Sequence, residues 1–203
     1  MVRVRVALEV PLALAISVPE FAALRRAGPR PMGLAPVPAG WPRILGTHSG
    51  QAALAELSLI YGYPLSLGQP MLTVGTCFAE ADTEPVSLEQ VLGRTQVGDE
   101  AVARGDPSYG RPVFSPAMPG WEAPLPAPAE LREAEQTVLV DGKATTVTVT
   151  NWRDYQALRF RAGENVVTAV ARYGFPASLS FGWVEDLEPY FAGRRRFLLS
   201  WLR

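Results

Sequence analysis

Residues 137–173 read TVLVDGKATTVTVTNWRDYQALRFRAGENVVTAVARY, and this stretch decides the fold of the 203-residue chain. The Asp-Gly pair at 141–142 separates two runs rich in β-branched residues, and both residue types tolerate the positive φ that a two-residue hairpin turn requires. A second turn at 162–165 separates two further runs. Apolar and polar side chains alternate along the arms, as at Leu158 and Phe160, so each strand has one apolar and one polar face. The stretch therefore predicts two hairpins in a four-strand antiparallel meander with one solvent-exposed face.

An amphipathic helix is predicted at residues 186–203, where apolar side chains recur at helical spacing. Asp186 suits the N-cap position, and Pro189 then falls in the first turn, where its missing N–H costs no hydrogen bond. A strand at 178–183 would extend the sheet. The sequence therefore predicts an α+β fold, an antiparallel β-meander of at least four strands whose apolar face is packed by this C-terminal helix.

Proline content divides the chain into regions. Residues 105–130 are rich in proline, which precludes regular structure over most of that segment. Residues 28–42 have a similar composition and predict irregular coil. We therefore expect a mixed N-terminal region at 1–104, a proline-rich linker or surface coil at 105–130, and the meander with its helix at 131–203.

Short elements are expected in the N-terminal region. The apolar spacing at 49–61, SGQAALAELSLIY, predicts a helix. A buried strand is predicted at 71–78. A short helix is predicted at 87–92, because Ser87 and Gln90 have the spacing of a capping box.

The charge balance argues against nucleic acid as a partner. The formal net charge is −1, with 19 Lys and Arg against 20 Asp and Glu, so the chain has no general attraction to polyanions. Lys143 is the only lysine. Because arginine has GC-rich codons, the use of arginine instead of lysine for nearly all basic residues indicates a bacterium with a GC-rich genome.

The expected compartment is the bacterial cytoplasm. Cys77 is the only cysteine, so the chain has no internal disulfide, no thiolate metal cluster and no CxxC redox pair. Residues 1–20 leave three interpretations open: an edge strand, a poor signal sequence, or a start codon placed too far upstream. Glu9 and Pro11 interrupt the apolar run there, so no membrane span is expected.

Few residues suit catalysis or metal binding. Cys77 and His48 are the candidate nucleophile and base, because a thiol needs a base to ionise near neutral pH. Glu80, Asp82 and Glu84 alternate, so an extended chain would direct their carboxylates to one side. Such a group could hold a hard cation or supply an acid and a base. Phosphate-binding glycine motifs are missing from the sequence, and we expect no cofactor.

A non-enzymatic protein-binding module, such as an adaptor, an inhibitor or an immunity-type partner, is the predicted function. The polar face of the meander should carry Arg159, Arg161 and Arg172, and arginine pairs bidentately with carboxylates, so the expected partner has an acidic surface. Trp121 in the proline-rich segment is a further candidate contact. Two alternatives stay open: a small enzyme built on the groups named above, and a small-molecule carrier. The oligomeric state is also open.

Overall fold

The computed structural model describes residues 30–49, 54–64, 66–79, 85–105 and 125–200. Within these ranges the chain forms nine strands and two α-helices. The strands are β1 (Met32–Leu34), β2 (Arg43–Ser49), β3 (Leu54–Gly62), β4 (Met71–Cys77), β5 (Arg132–Val140), β6 (Lys143–Trp152), β7 (Tyr155–Ala162), β8 (Asn165–Arg172) and β9 (Ser180–Trp183). The helices are α1 (Leu88–Ala103) and α2 (Glu188–Ser200), and a short 3-10 turn spans Pro128–Glu130.

The nine strands form one mixed sheet, in the order β1-β9-β5-β6-β7-β8-β4-β3-β2. Neighbouring strands pair antiparallel, except that β5 and β9 pair in parallel. Twist of one hand accumulates from strand to strand, and the sheet curls into a half-barrel. As a result β1, at one end of the order, lies close to β4, the third strand from the other end.

Two side chains close the gap between β1 and the strands it faces. The Met32 N–H donates to Thr76 Oγ1 at 3.0 Å, and the Leu34 N–H donates to the Tyr61 hydroxyl at 2.9 Å. The Tyr61 and Tyr190 hydroxyls lie 3.0 Å apart, which ties α2 to the same point. Side-chain oxygens thus replace the main-chain partner that the open edge of β1 lacks.

Gly33 permits the close approach of β1. A Cβ at this position would collide with the Tyr61 hydroxyl and with the side chains of Leu59 and Val184. A larger residue would therefore push β1 away from the side chains that accept its N–H groups.

The concave face, over which β1 returns, holds the larger apolar core. Every second residue of a central strand contributes to it, as Val167, Ala169 and Ala171 of β8 do. Leu158 and Phe160, the apolar positions of the predicted meander, belong to the same core. The curled sheet therefore buries much of its own apolar face.

Helix α1 covers part of the convex face. Its predicted capping box is confirmed: the Gln90 N–H donates to Ser87 Oγ at 3.3 Å, and the Ser87 N–H donates to Gln90 Oε1 at 3.2 Å. Val91 and Leu92 pack in a second apolar cluster with Tyr155 on β7. The polar face that we expected to be solvent-exposed therefore carries a helix.

Helix α2 packs against β2 at the end of the sheet. Gly193 lies so close to this strand that a Cβ would collide with the Arg43 carbonyl. The Gly62 N–H donates to the neighbouring Pro42 carbonyl at 3.0 Å. The Arg43 carbonyl, one residue further along, therefore points out of the sheet edge and toward α2.

The predicted architecture is wrong, although both of its hairpins are present. The first hairpin turns at Asp141 and Gly142, whose φ values are 50° and 76°. The structure has a nine-strand curled sheet rather than a meander, and its C-terminal helix packs on β2 rather than across the hairpins. Pairings such as β4 with β8 join segments far apart in sequence, and a local pattern does not contain them.

The helix predicted at 49–61 is also wrong, because β3 occupies most of that range. Leu57, Leu59 and Tyr61 face the concave core, whereas Ile60 belongs to a separate cluster on the other side. A strand buried on both faces reads as a continuous apolar run, which resembles a buried helix. The strand predicted at 71–78 is confirmed as β4.

The division at 105–130 stays a prediction, because most of that segment lies outside the described residues. Strands from both sides of it share the sheet, since β1 pairs with β9 and β4 with β8. Neither of the two helices in the described ranges combines the length and apolar character that crossing a membrane requires.

Replacing Tyr61 by Phe tests the closure of the sheet. The Leu34 N–H would lose its acceptor inside the fold, so we expect the free energy of unfolding to fall by about 1–3 kcal/mol. Tyr63→Phe is the matched control, because Tyr63 is exposed, and it should cost less than about 0.5 kcal/mol. Urea unfolding measures both, and equal losses would contradict the closure.

Tyr61 also links stability to alkaline pH. Burial, and then the neighbouring Tyr190, raise the pKa of the Tyr61 hydroxyl well above its usual value. The folded state therefore favours the neutral form. The stability that this preference contributes is fully present below the unfolded-state pKa of about 10, and it is lost as the pH rises from there through the folded-state pKa. We expect Tyr61→Phe to flatten the decline of the unfolding free energy above pH 10, measured by urea unfolding across a pH series.

Candidate binding cleft

A cleft of about 610 Å³ opens between α2, the segment before β2 and the loop that joins β3 to β4. Its walls are mainly apolar and aromatic, and a guanidinium group also lines it. The side chains that characterise this Trp41 cleft are Trp41, Pro42, Ile44, Tyr63, Pro64 and Arg196. Arg196 is exposed, and Tyr63 is 39% exposed, so both can contact a ligand.

Two glycines bring the walls of the Trp41 cleft together. Gly62 has a φ of +87°, and a Cβ there would collide with the Pro70 carbonyl. The next residue, Tyr63, donates its N–H to the same carbonyl at 3.1 Å, which closes the β3–β4 loop. Gly193 lets α2 approach β2 on the opposite side. The cleft thus results from close backbone approach at both walls.

Arg172 holds the β3–β4 loop from behind. One guanidinium nitrogen, Nη1, donates to the carbonyl of Ser66 at 2.8 Å and of Gln69 at 3.2 Å. The other, Nη2, donates to the Pro64 carbonyl at 3.2 Å. Arg172 therefore fixes one wall of the Trp41 cleft through the main chain of the loop.

Asp99 on α1 neutralises Arg172. Arg172 Nε lies 2.8 Å from Asp99 Oδ2, and Nη2 lies 2.5 Å from Oδ1, a bidentate ion pair. The Tyr155 hydroxyl also donates to Asp99 Oδ2, at 2.8 Å. Burial, and then the Asp99 carboxylate, raise the pKa of Tyr155. This cluster joins α1, the sheet and the loop, and its hydrogen bonds are directed inward.

The three arginines of the expected docking face differ in exposure. Arg172 is only 2% exposed, and its guanidinium faces the interior. Arg159 is half-buried, donates from Nε to Thr168 Oγ1 at 2.9 Å and donates from Nη2 to the Val86 carbonyl. Arg161 is exposed. The role of these residues in partner binding stays a prediction, as does that of Trp121, which lies outside the described residues.

Cys77 lies in an apolar setting. Its side chain is 4% exposed and packs in the cluster with Val91 and Leu92 of α1. In the sheet register Cys77 pairs with Glu56, and Glu56 pairs with His48. The Cys77 and His48 backbones are therefore two strands apart, about 10 Å at the usual strand spacing. The His48 side chain is outside the described part of the structure, so the catalytic pair stays a prediction.

The acidic triplet Glu80, Asp82 and Glu84 also lies outside the described residues. Among the side chains that are described, no three of the types His, Cys, Asp and Glu are grouped so that they could hold a metal ion. A cation site at the triplet stays a prediction.

Sequence reasoning missed Trp41, Tyr63 and Arg196 as members of one site. The first two do have a local signal, because each aromatic residue is bracketed by glycine and proline, in GWP at 40–42 and GYP at 62–64. Such residues favour turns, and an aromatic side chain on a turn is often accessible. Arg196 has no comparable signal, since only the packing of α2 on β2 brings it to the cleft.

Comparison with known proteins assigns no relative: no protein-family model matches the chain, and no curated protein or solved structure is significantly similar to it.

Arg172→Met should destabilise the protein and loosen the cleft wall. It leaves the Asp99 carboxylate buried without its cation, which costs about 3–5 kcal/mol. Arg161→Met makes the same chemical change at an exposed position and should cost less than about 0.5 kcal/mol. Urea unfolding gives both values.

A second measurement separates the effect on the loop from that on overall stability. The Tyr63 amide bonds to the Pro70 carbonyl. In Arg172→Met, its exchange with solvent should accelerate, relative to the wild type, by a larger factor than the exchange of the β8 amides. Uniformly faster exchange across the fold would contradict a specific role in holding the loop.

Proposed function

We propose that this protein is a non-enzymatic protein-binding module of the bacterial cytoplasm and that the Trp41 cleft is its recognition site. The cleft volume of about 610 Å³ carries the proposal. It lies within the range of roughly 300–1,000 Å³ that is usual for pockets that enclose a ligand group. Trp, Tyr and Arg are also the residues most often found at the energetic centre of protein interfaces.

The partner in this proposal inserts an apolar or aromatic side chain and places a carboxylate beside it. Trp41, Ile44 and Pro64 offer apolar surface to the inserted group. Arg196 offers a charge-assisted hydrogen bond to the carboxylate. The proposed partner therefore has the acidic surface that was expected from the sequence, and Arg196 is the residue that contacts it.

Preorganisation of the cleft supports the proposal. The Arg172 bonds to the Ser66 and Pro64 carbonyls hold one wall in place before any partner arrives. Gly193 fixes the approach of the opposite wall. Binding to a site that is already ordered loses less conformational entropy, which favours affinity.

The lining of the cleft also supports binding without catalysis. The described lining residues include no His, Cys, Asp or Glu, the side chains that most often transfer protons or act as nucleophiles. Cys77 packs under α1 instead. Rapid alkylation of Cys77 below pH 7 in the native protein would favour the enzyme alternative.

A small-molecule carrier is the second candidate, and the cleft volume favours it too. A carrier would retain a ligand of low molecular mass through purification. Native mass spectrometry of the purified chain would detect that ligand as added mass, and its loss in Trp41→Leu would assign it to the cleft.

The recognition chemistry can be tested with a matched pair of small probes, N-acetyl-tryptophan and its neutral amide. Both present an indole ring, and only the first has a carboxylate. Arg196→Gln should weaken binding of the acid by roughly two- to fivefold, the value of one exposed ion pair, and leave the amide unaffected. Trp41→Leu should weaken both, and Arg161→Gln, which alters an exposed arginine on β7, should weaken neither. NMR titration of the wild type and the three variants with each of the two probes measures all eight combinations.

The protein partner itself is tested by comparative affinity capture. Wild-type protein should retain a partner from the source cell that Trp41→Leu fails to retain, while Arg104→Gln, which alters an exposed arginine at the end of α1, retains it. If both probes leave the resonances of the cleft unchanged and all three proteins capture the same set, the Trp41 cleft is not the recognition site.

A further inference from the structure

Among the described residues, most of one edge of β5, on the side of β9, has no strand beside it. Strand β9 pairs only with Leu139 and Val140, at the C-terminal end of β5. The preceding residues, 132–138, face no strand on that side within the described ranges. On the opposite side they pair with β6 along their whole length, so the strand is firmly placed.

The hydrogen-bond pattern shows which groups point out of this edge. The Leu139 N–H donates to the Leu179 carbonyl, on the β9 side, at 3.1 Å. Because alternate residues of a strand direct their N–H and C=O groups the same way, those of Glu133, Glu135 and Thr137 also point outward. In the described part of the chain these outward groups have no hydrogen-bond partner.

Both faces of the strand beside this edge are accessible. The four consecutive residues from Arg132 to Glu135 are all exposed, although a strand in a curled sheet normally buries every second residue. Unpaired main-chain groups on an accessible, extended strand are a template for an added strand.

We propose that the β5 edge, residues 133–137, binds an extended segment of another protein as an additional β-strand, and that this segment carries basic residues at alternate positions. This surface is separate from the Trp41 cleft, so the proposal is independent of the one made for the cleft. The added strand would lie in line with β9 and receive hydrogen bonds from Glu133, Glu135 and Thr137.

The charges of the edge select the partner. Glu133 and Glu135 are two residues apart and share one face of β5. Their cross-strand neighbours on β6 are Thr150 and Thr148, which are neutral, and neither glutamate forms an ion pair among the described side chains. Lysine or arginine at alternate positions of an added strand would lie directly opposite the two carboxylates.

The same charges disfavour a second copy of this chain. If the β5 strands of two copies pair antiparallel with Glu135 at the centre, Glu135 of one copy lies opposite Glu135 of the other. If Ala134 is at the centre, Glu133 of one copy lies opposite Glu135 of the other. Like charges directly opposite are destabilising. A pair centred on Gln136 would bring Glu133 opposite Leu139, whose outward groups already bond to β9.

Two synthetic hexapeptides, acetylated and amidated, test the proposal: TKVKVT and its acidic counterpart TEVEVT. Amide exchange measured by NMR reports the contact residue by residue. With TKVKVT at ten times its Kd, the amides of Glu133, Glu135 and Thr137 should exchange about tenfold more slowly. The Ala134 and Gln136 amides point toward β6 and serve as internal references. TEVEVT should bind roughly five- to tenfold more weakly.

A charge-reversed variant is the matched control. Glu133→Lys combined with Glu135→Lys alters exposed side chains and keeps the main chain, so its unfolding free energy should stay within about 1 kcal/mol. This variant should prefer TEVEVT over TKVKVT, reversing the order seen for the wild type.

Three results would overturn the proposal. The first is that neither peptide slows exchange at the three outward amides. The second is that the preference between peptides stays the same in the charge-reversed variant. The third is a concentration-dependent dimer of the chain alone that protects the same three amides, which would assign the edge to self-association.

Discussion

A strand at the end of a sheet leaves every second N–H group without a main-chain partner, and in this protein the groups of β1 find side-chain oxygens instead. Met32 donates to Thr76, and Leu34 donates to Tyr61. These bonds exist only because the sheet curls far enough to bring β1 over β3 and β4. Gly33 provides the space for that approach, and Tyr190 fixes α2 at the same tyrosine. The concave core and the position of α2 therefore depend on one short edge strand.

The buried ion pair of Arg172 and Asp99 organises the other side of the sheet. A buried pair of charges adds little net stability over an apolar pair of the same size, because both charges lose their hydration. Its geometric effect is large, since each group has directional partners on different elements. Arg172 lies on β8 opposite Tyr155 of β7, and both bond to the same carboxylate on α1. The pair thus fixes α1 relative to the sheet.

Local features were predictable from the sequence, and long-range pairing was not. The Asp141 turn and the Ser87 capping box depend on residues within a few positions of each other, and both are present. The pairing of β4 with β8 depends on segments far apart in the chain, and no period or turn signal encodes it. The prediction that Arg172 is exposed also depended on a local pattern alone. Alternation shows that a residue faces away from one core, and it does not show what covers the other face. The Trp41 cleft was missed since its walls come from three separate segments.

Arg172 grips the β3–β4 loop through carbonyl oxygens, which every residue type possesses, so the shape of this cleft wall is largely independent of the side chains in the loop. Side chains of this loop, including that of Ser66 in the cleft lining, can therefore change without moving the main chain that carries them. A substitution in this loop therefore changes the side chains beside the cleft while the main chain keeps its path. The surface chemistry of this cleft wall can accordingly diverge during evolution, or be redesigned, by side-chain replacement alone.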